Sequence, residues 1–431
     1  MSSPGRPKSE YRSAQHEGAP MNGERLADPL AETRLRPRGS NQGGMRQFNE
    51  RVVLQAIRLH GSVPKAEIAR LTNLTAQTVQ VIIARLEADS LVTKLEPVRG
   101  KVGQPSVPLA LNPDGAFAVG IKVGRRSMDL LLVDFTGAAR ERWSIDYHHP
   151  DPDLLRAEIG LRLRELRRKL GPAKRELVQG VGIAAPLSLG GWQSLFDMPQ
   201  DVADKWTRTD LRAQVAALTD WPVALLKDTA AACVAELVAG RGRSIKSFLY
   251  IFVDTFIGGG LVIDSHLRSG LHGNAGAIGS LPLGLAPEGR TAAPAQLLSV
   301  ASLLNLERLY EAAGIDTTAS FDARALEPPW REATARWLRD AGAAVALSIN
   351  SAACLLDLDG VIIDGSFSRE LLGALLSATS QALERYSWEG VVRPQLMAGT
   401  IGLDARAIGG ALLPLYANFA PDRDLFLKLD V

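Results

Sequence analysis

Residues 118–137 read AVGIKVGRRSMDLLLVDFTG. An apolar run, a tight polar turn and a second apolar run followed by Asp-Phe-Thr-Gly predict a β-hairpin. Hairpins of this outline that hold the phosphates of ATP place an acid, two glycines and a threonine at the turn. Here those places carry Lys122, Gly124, Arg125 and Arg126. The hairpin therefore belongs either to an enzyme with an altered nucleotide site or to a protein that keeps the fold without the chemistry.

The chain after residue 114 alternates between apolar strand-like runs and helical segments. A hairpin followed by this alternation, with the pattern restarting near Phe248, predicts two related α/β lobes. The predicted strands are 118–123, 130–134, 178–184, 223–226, 248–253, 261–263 and 360–363, and the predicted helices are 154–170, 229–239, 295–313, 333–356 and 369–386.

Composition indicates a globular protein of more than one domain. The chain has 431 residues, 46% of them hydrophobic and 22% charged, and is too long for one small core. No apolar stretch approaches the roughly 20 residues that span a bilayer, and the N-terminus has no secretory core. We therefore expect a cytoplasmic protein without membrane association. Cys233 and Cys354 lie in alanine-rich helical contexts, which favours buried free thiols over a zinc site.

The N-terminal quarter is basic. Residues 1–110 carry 16 Lys and Arg against 10 Asp and Glu, whereas the whole chain has a net charge of +2. A basic head on a mildly acidic body suggests a polyanionic partner, although a solvated basic tail gives the same charge. Residues 1–44 lack any apolar period and predict a disordered tail, with order beginning near Met45.

Residues 45–113 have the pattern of a winged helix-turn-helix domain. An amphipathic helix ends before Gly61, and Pro64 suits the first turn of a short second helix. The break 72–75 leads into a third helix with a polar leading edge, and two alternating segments around a basic tip predict a wing. Three packing helices without a ligand are the alternative, but the basic charge and the wing favour DNA binding.

The predicted DNA contacts follow from the chemistry of the grooves. Amides and hydroxyls at the start of a recognition helix reach base edges, while basic side chains contact phosphates. The predicted contacts are Lys65, Thr75, Gln77, Thr78 and Gln80 in the helices, and Arg99 and Lys101 on the wing.

From Met45 to the C-terminus the chain resembles the ROK family (repressor, open reading frame, kinase). The head, with its wing GKVGQPSVPLALN, precedes four segments in the family's order: GVGIAAPLSLGGWQSLFDMPQDVADKW, WPVALLKDTAAACVAELVAG, IFVDTFIGGGLVIDSHLRSGLHGNAGAIGSLPLG and GVIIDGSFSRELL. The resemblance implies an α/β two-lobed, actin/hexokinase-like (ribonuclease H-type) body with an N-terminal winged helix-turn-helix domain. It also implies that residues 114–431 form an effector-binding and oligomerisation domain, in a homodimer or tetramer, with a sugar cleft between the lobes.

The resemblance implies that the nucleotide site is lost. The family's kinases hold Mg-ATP with an aspartate and Gly-Gly-Thr, where this chain has Lys122 and the turn 124–127. Glycines let the backbone approach phosphate oxygens, and arginines fill that space, although arginine can itself bind phosphate. The second phosphate loop survives as 255–260 with Phe256 in place of a glycine; its three glycines also suit a tight strand–strand turn. Asp364 replaces the first of two paired glycines beside the adenosine.

The sugar site is altered as well. The family's Asn-Asp pair, whose aspartate is the catalytic base in kinases, is Lys227-Asp228 here. Asp228 suits a ligand contact, an ion pair with Lys227 or a helix cap. The family's Glu-x-Gly-His becomes Ala277-Ile278-Gly279-Ser280, and its zinc cysteines are absent, so no metal and no cofactor are expected. The candidate effector-binding residues are Gln200, Lys227, Asp228, Asn274, Ala277 and Ser280, with His272 nearby.

The leading hypothesis is a sequence-specific transcriptional regulator, expected to repress sugar or carbohydrate-related genes without catalysis. A two-fold oligomer places two heads on palindromic double-stranded DNA, and a small-molecule sugar or sugar derivative in the cleft controls release. One alternative is an ATP-dependent sugar kinase carrying a DNA-binding head. Another is a DNA-binding protein without an effector, its cleft filled by Arg125, Arg126 and Lys227. If a ligand does bind in the cleft, these basic side chains predict that it is acidic or phosphorylated.

Overall fold

A computed structural model describes residues 42–98, 106–190, 198–285 and 293–421. Residues 1–41 of the predicted tail, and Arg99 and Lys101 of the predicted wing, lie outside the described residues. Within the described ranges, no helix combines the length and apolarity that a membrane crossing requires.

The N-terminal head is a winged helix-turn-helix, as predicted. Val53 and Ile57 of the first helix pack with Val79 and Ile83 of the third, and all four are buried. Asn73 adopts a left-handed conformation (φ 54°) that ends the second helix. Three short strands form an antiparallel sheet in the order β1-β3-β2. The elements are α1 (Gln42–His60), β1 (Ser62–Pro64), α2 (Lys65–Thr72), α3 (Ala76–Ala88), β2 (Val92–Lys94) and β3 (Pro108–Leu111).

Two details of the head differ from the sequence prediction. The first helix begins at Gln42, slightly before Met45. Pro64 ends β1 in extended geometry and precedes α2, so it lies outside the helical turn predicted for it.

The first lobe is built on a five-stranded sheet in the order β6-β5-β4-β7-β8. The predicted hairpin is its centre: β4 pairs antiparallel with β5, and the Gly124 amide donates to the Ser127 carbonyl across the turn, 2.9 Å away. The elements are β4 (Phe117–Val123), β5 (Ser127–Asp134), β6 (Ala139–Asp146), α4 (Pro152–Arg175), β7 (Val178–Ala185), α5 (Gln200–Thr207), α6 (Leu211–Ala216) and β8 (Val223–Lys227), followed by α7 (Asp228–Ala239), which leads to the second lobe.

The second lobe repeats the topology of the first, with strand order β11-β10-β9-β12-β13. In both sheets the leading strand pairs antiparallel with the next strand and parallel with a later one. This repetition confirms the predicted actin/hexokinase-like architecture. The elements are β9 (Phe248–Val253), β10 (Gly258–Ile263), β11 (His266–Arg268), α8 (Leu298–Ala301), α9 (Leu303–Ala312), α10 (Arg331–Leu356), β12 (Gly360–Gly365), α11 (Arg369–Leu383) and β13 (Gln395–Ala398), and the chain returns to the first lobe as α12 (Ala405–Phe419).

Two of the five predicted helices differ from the prediction by a break, and the other three, α7, α10 and α11, differ by one to three residues at one end. The helix predicted over 295–313 is two helices, α8 and α9, because Ser302 between them is extended (ψ 154°). The helix predicted over 154–170 runs to Arg175 across a break at Gly171, whose φ is 66°.

Helix α12 packs against the first lobe and α7 through glycines. A Cβ atom on Gly182 of β7 or on Gly409 of α12 would lie closer than 3.0 Å to the backbone oxygen of Gly410 or Ala231 respectively. Real Cβ atoms essentially never make such contacts. The backbones therefore approach closely only because these positions have no side chain. This close packing fixes the position of α12 against β7 and α7.

Substituting Gly182 with alanine tests this seating. We expect Gly182→Ala to lower the free energy of unfolding by about 2–3 kcal/mol, because overpacking forces the backbone of α12 away from β7. Urea denaturation followed by circular dichroism measures the change. Gly373→Ala is the control, since no atom within 4 Å meets an added Cβ there and alanine favours a helix. Equal stability of the two variants would contradict the close packing.

The C-terminal half of α12 also contacts the head. Leu412 and Leu415 belong to the same buried cluster as Val53 and Ile57 of α1. The rings of Phe135 and Phe419 meet edge to face at 4.8 Å. The Arg58 guanidinium lies 5.2 Å from the Phe135 ring centroid, and its burial lowers its pKa to about 10. The head and the body therefore share a hydrophobic core through α12.

Candidate functional site

A cavity of about 460 Å³ lies between the two lobes. Arg125 follows β4, Pro186 follows β7, Lys227 ends β8 and Asp254 follows β9, and all four line it. Ligands of open α/β sheets bind at the carboxyl ends of such strands. The topology thus explains why residues distant in sequence meet here.

Five of the six candidate effector-binding residues line this cavity. They are Lys227, Asp228, Asn274, Ala277 and Ser280. Gln200 is not brought to it: it begins α5, and its side-chain amide donates to Asp204 Oδ1 at 2.8 Å. His272 lies on an exposed loop and is not part of the lining.

Lys227 and Asp228 make different local bonds. Lys227 Nζ donates to Asn274 Oδ1 at 3.1 Å, and the pKa of Lys227 is lowered by desolvation, against the attraction of Asp228. Asp228 Oδ1 accepts from the Thr229 amide at 2.8 Å. The carboxylate thus bonds the first turn of α7 and also faces the cavity.

Lys122, on the first strand of the β4–β5 hairpin, bonds residues of the second strand. Lys122 is 3% exposed, and its Nζ donates to Ser127 Oγ at 2.5 Å and to Asp129 Oδ2 at 2.9 Å. Burial lowers the pKa of Lys122. Burial raises the pKa of Asp129, but the charge of Lys122 and the hydrogen bonds from Ser144 and Lys122, with the charge of Arg406, together lower it. Lys122 therefore holds the two strands together beneath the turn.

The two arginines of the hairpin turn point to different places. Arg125 lines the cavity, donates to the Ser188 carbonyl at 3.3 Å and stacks over Phe256, 4.6 Å from the ring centroid. Its burial lowers its pKa to about 10. Arg126 instead crosses to the second lobe, where its Nη1 contacts both oxygens of Glu307 at 2.7 and 2.9 Å. The expectation that both arginines fill the cleft is therefore wrong for Arg126.

Arg406, at the start of α12, and Asp254, after β9, are residues of the candidate site that the sequence did not reveal. Arg406 Nη1 pairs with Asp254 Oδ2 and lies 3.9 Å from Asp228 Oδ2. Its Nη2 donates to Ser366 Oγ at 3.1 Å. Desolvation lowers the pKa of Arg406, but the charges of Asp254, Asp228 and Asp129 and the hydrogen bond to Asp254 together raise it. Burial likewise raises the pKa of Asp254, and Arg406 and Lys122 reverse that shift.

The Arg406–Asp254 pair lies where the resemblance to the ROK family places the phosphates of ATP. Asp254 directly precedes the loop 255–260. Within that loop, the ring of Phe256 stacks against the Arg125 guanidinium. An aromatic ring at a phosphate loop displaces a triphosphate, and the acid, already paired with Arg406, leaves that guanidinium unavailable to it. The position of Asp254 beside Thr255 was the signal in the sequence that could have predicted this.

The three glycines of the second loop have a packing role. Cβ atoms on Gly258, Gly259 and Gly260 would lie closer than 3.0 Å to Thr229, to the Tyr250 carbonyl and to Cys233 respectively. These glycines form the first residues of β10, with the turn preceding them. The tight-turn explanation is therefore corrected to close packing of β10 against α7 and β9, which requires no phosphate.

In the part of the chain that the structure describes, no three His, Cys, Asp or Glu residues form a group that could hold a metal ion. Cys233 is buried, and Cys354 is exposed, which corrects the expectation that both thiols are buried. Burial raises the pKa of the Cys233 thiol.

The head presents a polar helix start at its surface. Thr75 caps α3: its Oγ1 accepts from the Thr78 amide at 3.1 Å and shares a hydrogen bond with Thr78 Oγ1 at 2.8 Å. Gln77 and Gln80 are exposed on the same helix, and Lys65 is exposed at the start of α2. The threonines thus fix the helix end, and the glutamines extend from it.

Comparison with known proteins identifies the family. The ROK family pattern matches residues 118–416, from β4 to the last turn of α12. The chain belongs to the ROK family.

Relatives of this ROK protein include regulators. The xylose repressor of Bacillus subtilis (strain 168) is 22% identical, over 57% of this chain and 62% of the repressor. A transcriptional regulator of Mycobacterium tuberculosis (strain ATCC 25618 / H37Rv) is 26% identical over 73% of each chain. The present chain thus matches less than two thirds of the xylose repressor's length.

Solved structures share the fold. A ROK family transcriptional regulator, a homolog of the E. coli MLC protein, superimposes with a TM-score of 0.62 at 22% identity, covering 89% of this chain and 99% of that one. A ROK family glucokinase from Streptomyces griseus, in complex with glucose and AMPPNP, gives 0.54 at 19% identity, covering 69% and 99%. The fold thus occurs both in a protein named as a transcriptional regulator and in one named as a glucokinase, so it does not by itself decide between the two functions.

Proposed function

We propose that this ROK protein is a sequence-specific DNA-binding repressor of carbohydrate-related genes, controlled by a sugar or sugar derivative in the interlobe cavity. One observation carries the proposal: α12 begins with Arg406 in the cavity and ends against α1 of the DNA-binding head. A ligand that changes the position of α12 therefore changes the position of the head. The names of the regulator relatives support the same function.

The head is suited to reading DNA. Exposed amides on Gln77 and Gln80 have the donor and acceptor pair that recognises adenine in the major groove. Lys65 is placed for a phosphate contact. We assign these roles together with Thr75, Thr78 and the wing residues Arg99 and Lys101. A two-fold dimer or tetramer acting in the cytoplasm would present paired heads to a palindromic site.

The cleft is suited to sensing. A sugar kinase needs a base, phosphate-binding loops and metal ligands. Asp228 remains as a candidate base, but Asp254 and Arg406 pair at the phosphate loop and Phe256 stacks on Arg125. We therefore propose a protein without catalysis.

Control requires that the ligand bind one arrangement of the lobes more tightly than the other. The lobes are held by side chains that span them, including the Arg126–Glu307 pair and the contacts of Arg406 with Asp254. A ligand bound among Lys227, Asp228 and Arg406 changes this balance. Because α12 is packed backbone to backbone on β7, it moves together with the first lobe, and its contacts with α1 carry that movement to the head.

The function is tested by selecting DNA from a random duplex library with the full-length protein. Fluorescence anisotropy then measures the affinity of the selected site with and without a panel of sugars. We expect a palindromic sequence whose affinity falls when a cavity ligand is present. Failure to enrich any sequence would contradict the assignment of the head.

The kinase alternative makes an opposite prediction. We expect no ATP consumption above background when the wild-type protein is supplied with Mg-ATP and each sugar of a panel, and an altered effector response in Asp228→Asn. A coupled ADP-release assay measures turnover, and anisotropy measures the response. Sugar-dependent turnover that Asp228→Asn abolishes would establish the kinase alternative and overturn the proposal.

A further inference from the structure

We propose that the effector is an anionic sugar derivative whose carboxylate or phosphate is bound by Lys227 in the interlobe cavity. This inference rests on the proposed function, because it names the chemical class of the ligand of that same cavity. Its failure and the failure of ligand-controlled DNA binding are nevertheless distinguishable by experiment.

The charges of the cavity do not balance. Its described lining holds three basic side chains, Arg125, Lys227 and Arg406, and two acidic ones, Asp228 and Asp254. Asp254 is paired with Arg406, and Asp228 is held within reach of the same guanidinium at 3.9 Å. The Arg125 guanidinium attracts both carboxylates as well. With three basic and two acidic side chains, the described lining carries one positive charge in excess, which favours an anionic ligand.

Lys227 is the group best placed to receive that anion. Its Nζ donates one hydrogen bond, to the neutral amide oxygen of Asn274 at 3.1 Å, while an ammonium has three donors. In the described ranges it makes no ion pair with an acid. A partly desolvated ammonium with an amide partner gains from a charge-assisted bond to an anion.

The rest of the ligand is expected to carry hydroxyl groups. Asp228, Asn274 and Ser280 line the cavity beside Lys227, and their oxygens and amide match sugar hydroxyls as acceptors and donors. Arg125 presents a second guanidinium to the same space. A sugar acid and a sugar phosphate share this chemistry, and the two are separated by experiment.

The test compares matched ligands on the full-length protein. D-glucose, D-glucuronate and D-glucose 6-phosphate form one set, D-xylose and D-xylonate another, and inorganic phosphate and acetate are the anion controls. Thermal shift finds ligands through their stabilisation of the folded state, and calorimetry gives Kd. We expect an anionic member to bind at least about tenfold more tightly than its neutral counterpart, with affinity falling as salt rises.

Variants at Lys227 complete the test. We expect Lys227→Gln to weaken the anionic ligand by about tenfold or more, Lys227→Arg to retain most of the affinity, and the neutral sugar to bind both alike. Lys246→Gln, an exposed lysine outside the cavity, is the matched control and leaves every Kd unchanged. Melting temperatures without ligand establish that the variants fold.

Each outcome decides between the proposals. Preference for glucuronate or xylonate identifies a sugar acid, and preference for glucose 6-phosphate identifies a sugar phosphate. Binding of neutral sugars alone, with release of DNA, overturns this inference and leaves the proposed function intact. An anion affinity unaffected by Lys227→Gln overturns it as well. If no member binds while DNA binding persists, the sugar effector and this inference both fail.

Discussion

Replacing Arg406 with methionine lowers the free energy of unfolding by about 3–5 kcal/mol. The Arg406 side chain is 5% exposed and the Asp254 side chain 16% exposed. Removing the guanidinium leaves Asp254 with a desolvated charge and deprives Asp228 of its nearby cation. Ser366 Oγ also loses its donor. Methionine keeps much of the side-chain volume, so the loss reports the charge more than a cavity.

Urea denaturation measures the Arg406→Met effect, with Arg385→Met as the control because Arg385 is exposed and such surface changes stay within about 0.5 kcal/mol. Adding Asp254→Asn removes the stranded charge, so we expect the double variant to be more stable than the sum of the single effects predicts. A loss below about 1 kcal/mol in Arg406→Met, or strict additivity with Asp254→Asn, would show that the pair does not stabilise the cleft.

The double variant Gln77→Ala/Gln80→Ala loses specific DNA affinity. Each good amide–base pair contributes about 1–3 kcal/mol of discrimination. We therefore expect specific affinity to fall by roughly thirtyfold or more, while affinity for random duplex DNA, which depends on phosphates, stays nearly unchanged. Anisotropy at fixed salt on the selected site and on a scrambled site separates the two effects.

Two control variants accompany the glutamine variant: one removes a positive charge from the head, and the other changes a glutamine far from it in the sequence. Lys65→Ala should weaken specific and random DNA alike and reduce the salt slope by about 1, because it removes a phosphate contact. Gln381→Ala, on the exposed face of α11, should change neither affinity. Equal losses on specific and scrambled DNA in the glutamine variant would show that α3 does not read bases.

The sequence predicted seven of the ten strands that the structure describes in the two lobes, because their patterns are local; it missed β6, β11 and β13. β9 lies at the predicted residues, and β4, β7 and β8 differ from prediction by a residue at an end. β6, in contrast, reads ARERWSID and is exposed on alternate residues at the edge of its sheet. Its charged residues hide the apolar alternation that reveals a strand.

Helix α12 was missed for a different reason. Its sequence ARAIGGALLPLYANF contains two glycines and an internal proline, which disfavour a helix in isolation. Packing against β4, β7 and α7 overrides that propensity, and the glycines are required for this packing. The partners of Arg406 and Arg126 lie far away in sequence, so local pattern could not predict which ion pairs they form.

The head, the cavity and α12 form one physical connection. The apolar residues that α12 shares with α1 bury one end of the helix, and the ion pairs of Arg406 fix the other. A ligand in the cavity competes for those ion pairs. The Arg126–Glu307 pair is a second contact between the lobes. Any closing or opening of the cleft must keep this ion pair or break it. The proposed effector site thus lies where the resemblance to the ROK family places the nucleotide and sugar sites of its kinases.

The most direct measurement is an anisotropy titration of the selected DNA site at constant salt, with and without a saturating cavity ligand found by thermal shift. The account predicts that saturating ligand weakens DNA affinity by at least about tenfold, and that Lys227→Gln shifts the ligand concentration needed. An unchanged DNA affinity at saturating ligand would contradict the account, because a ligand that binds both arrangements equally shifts nothing.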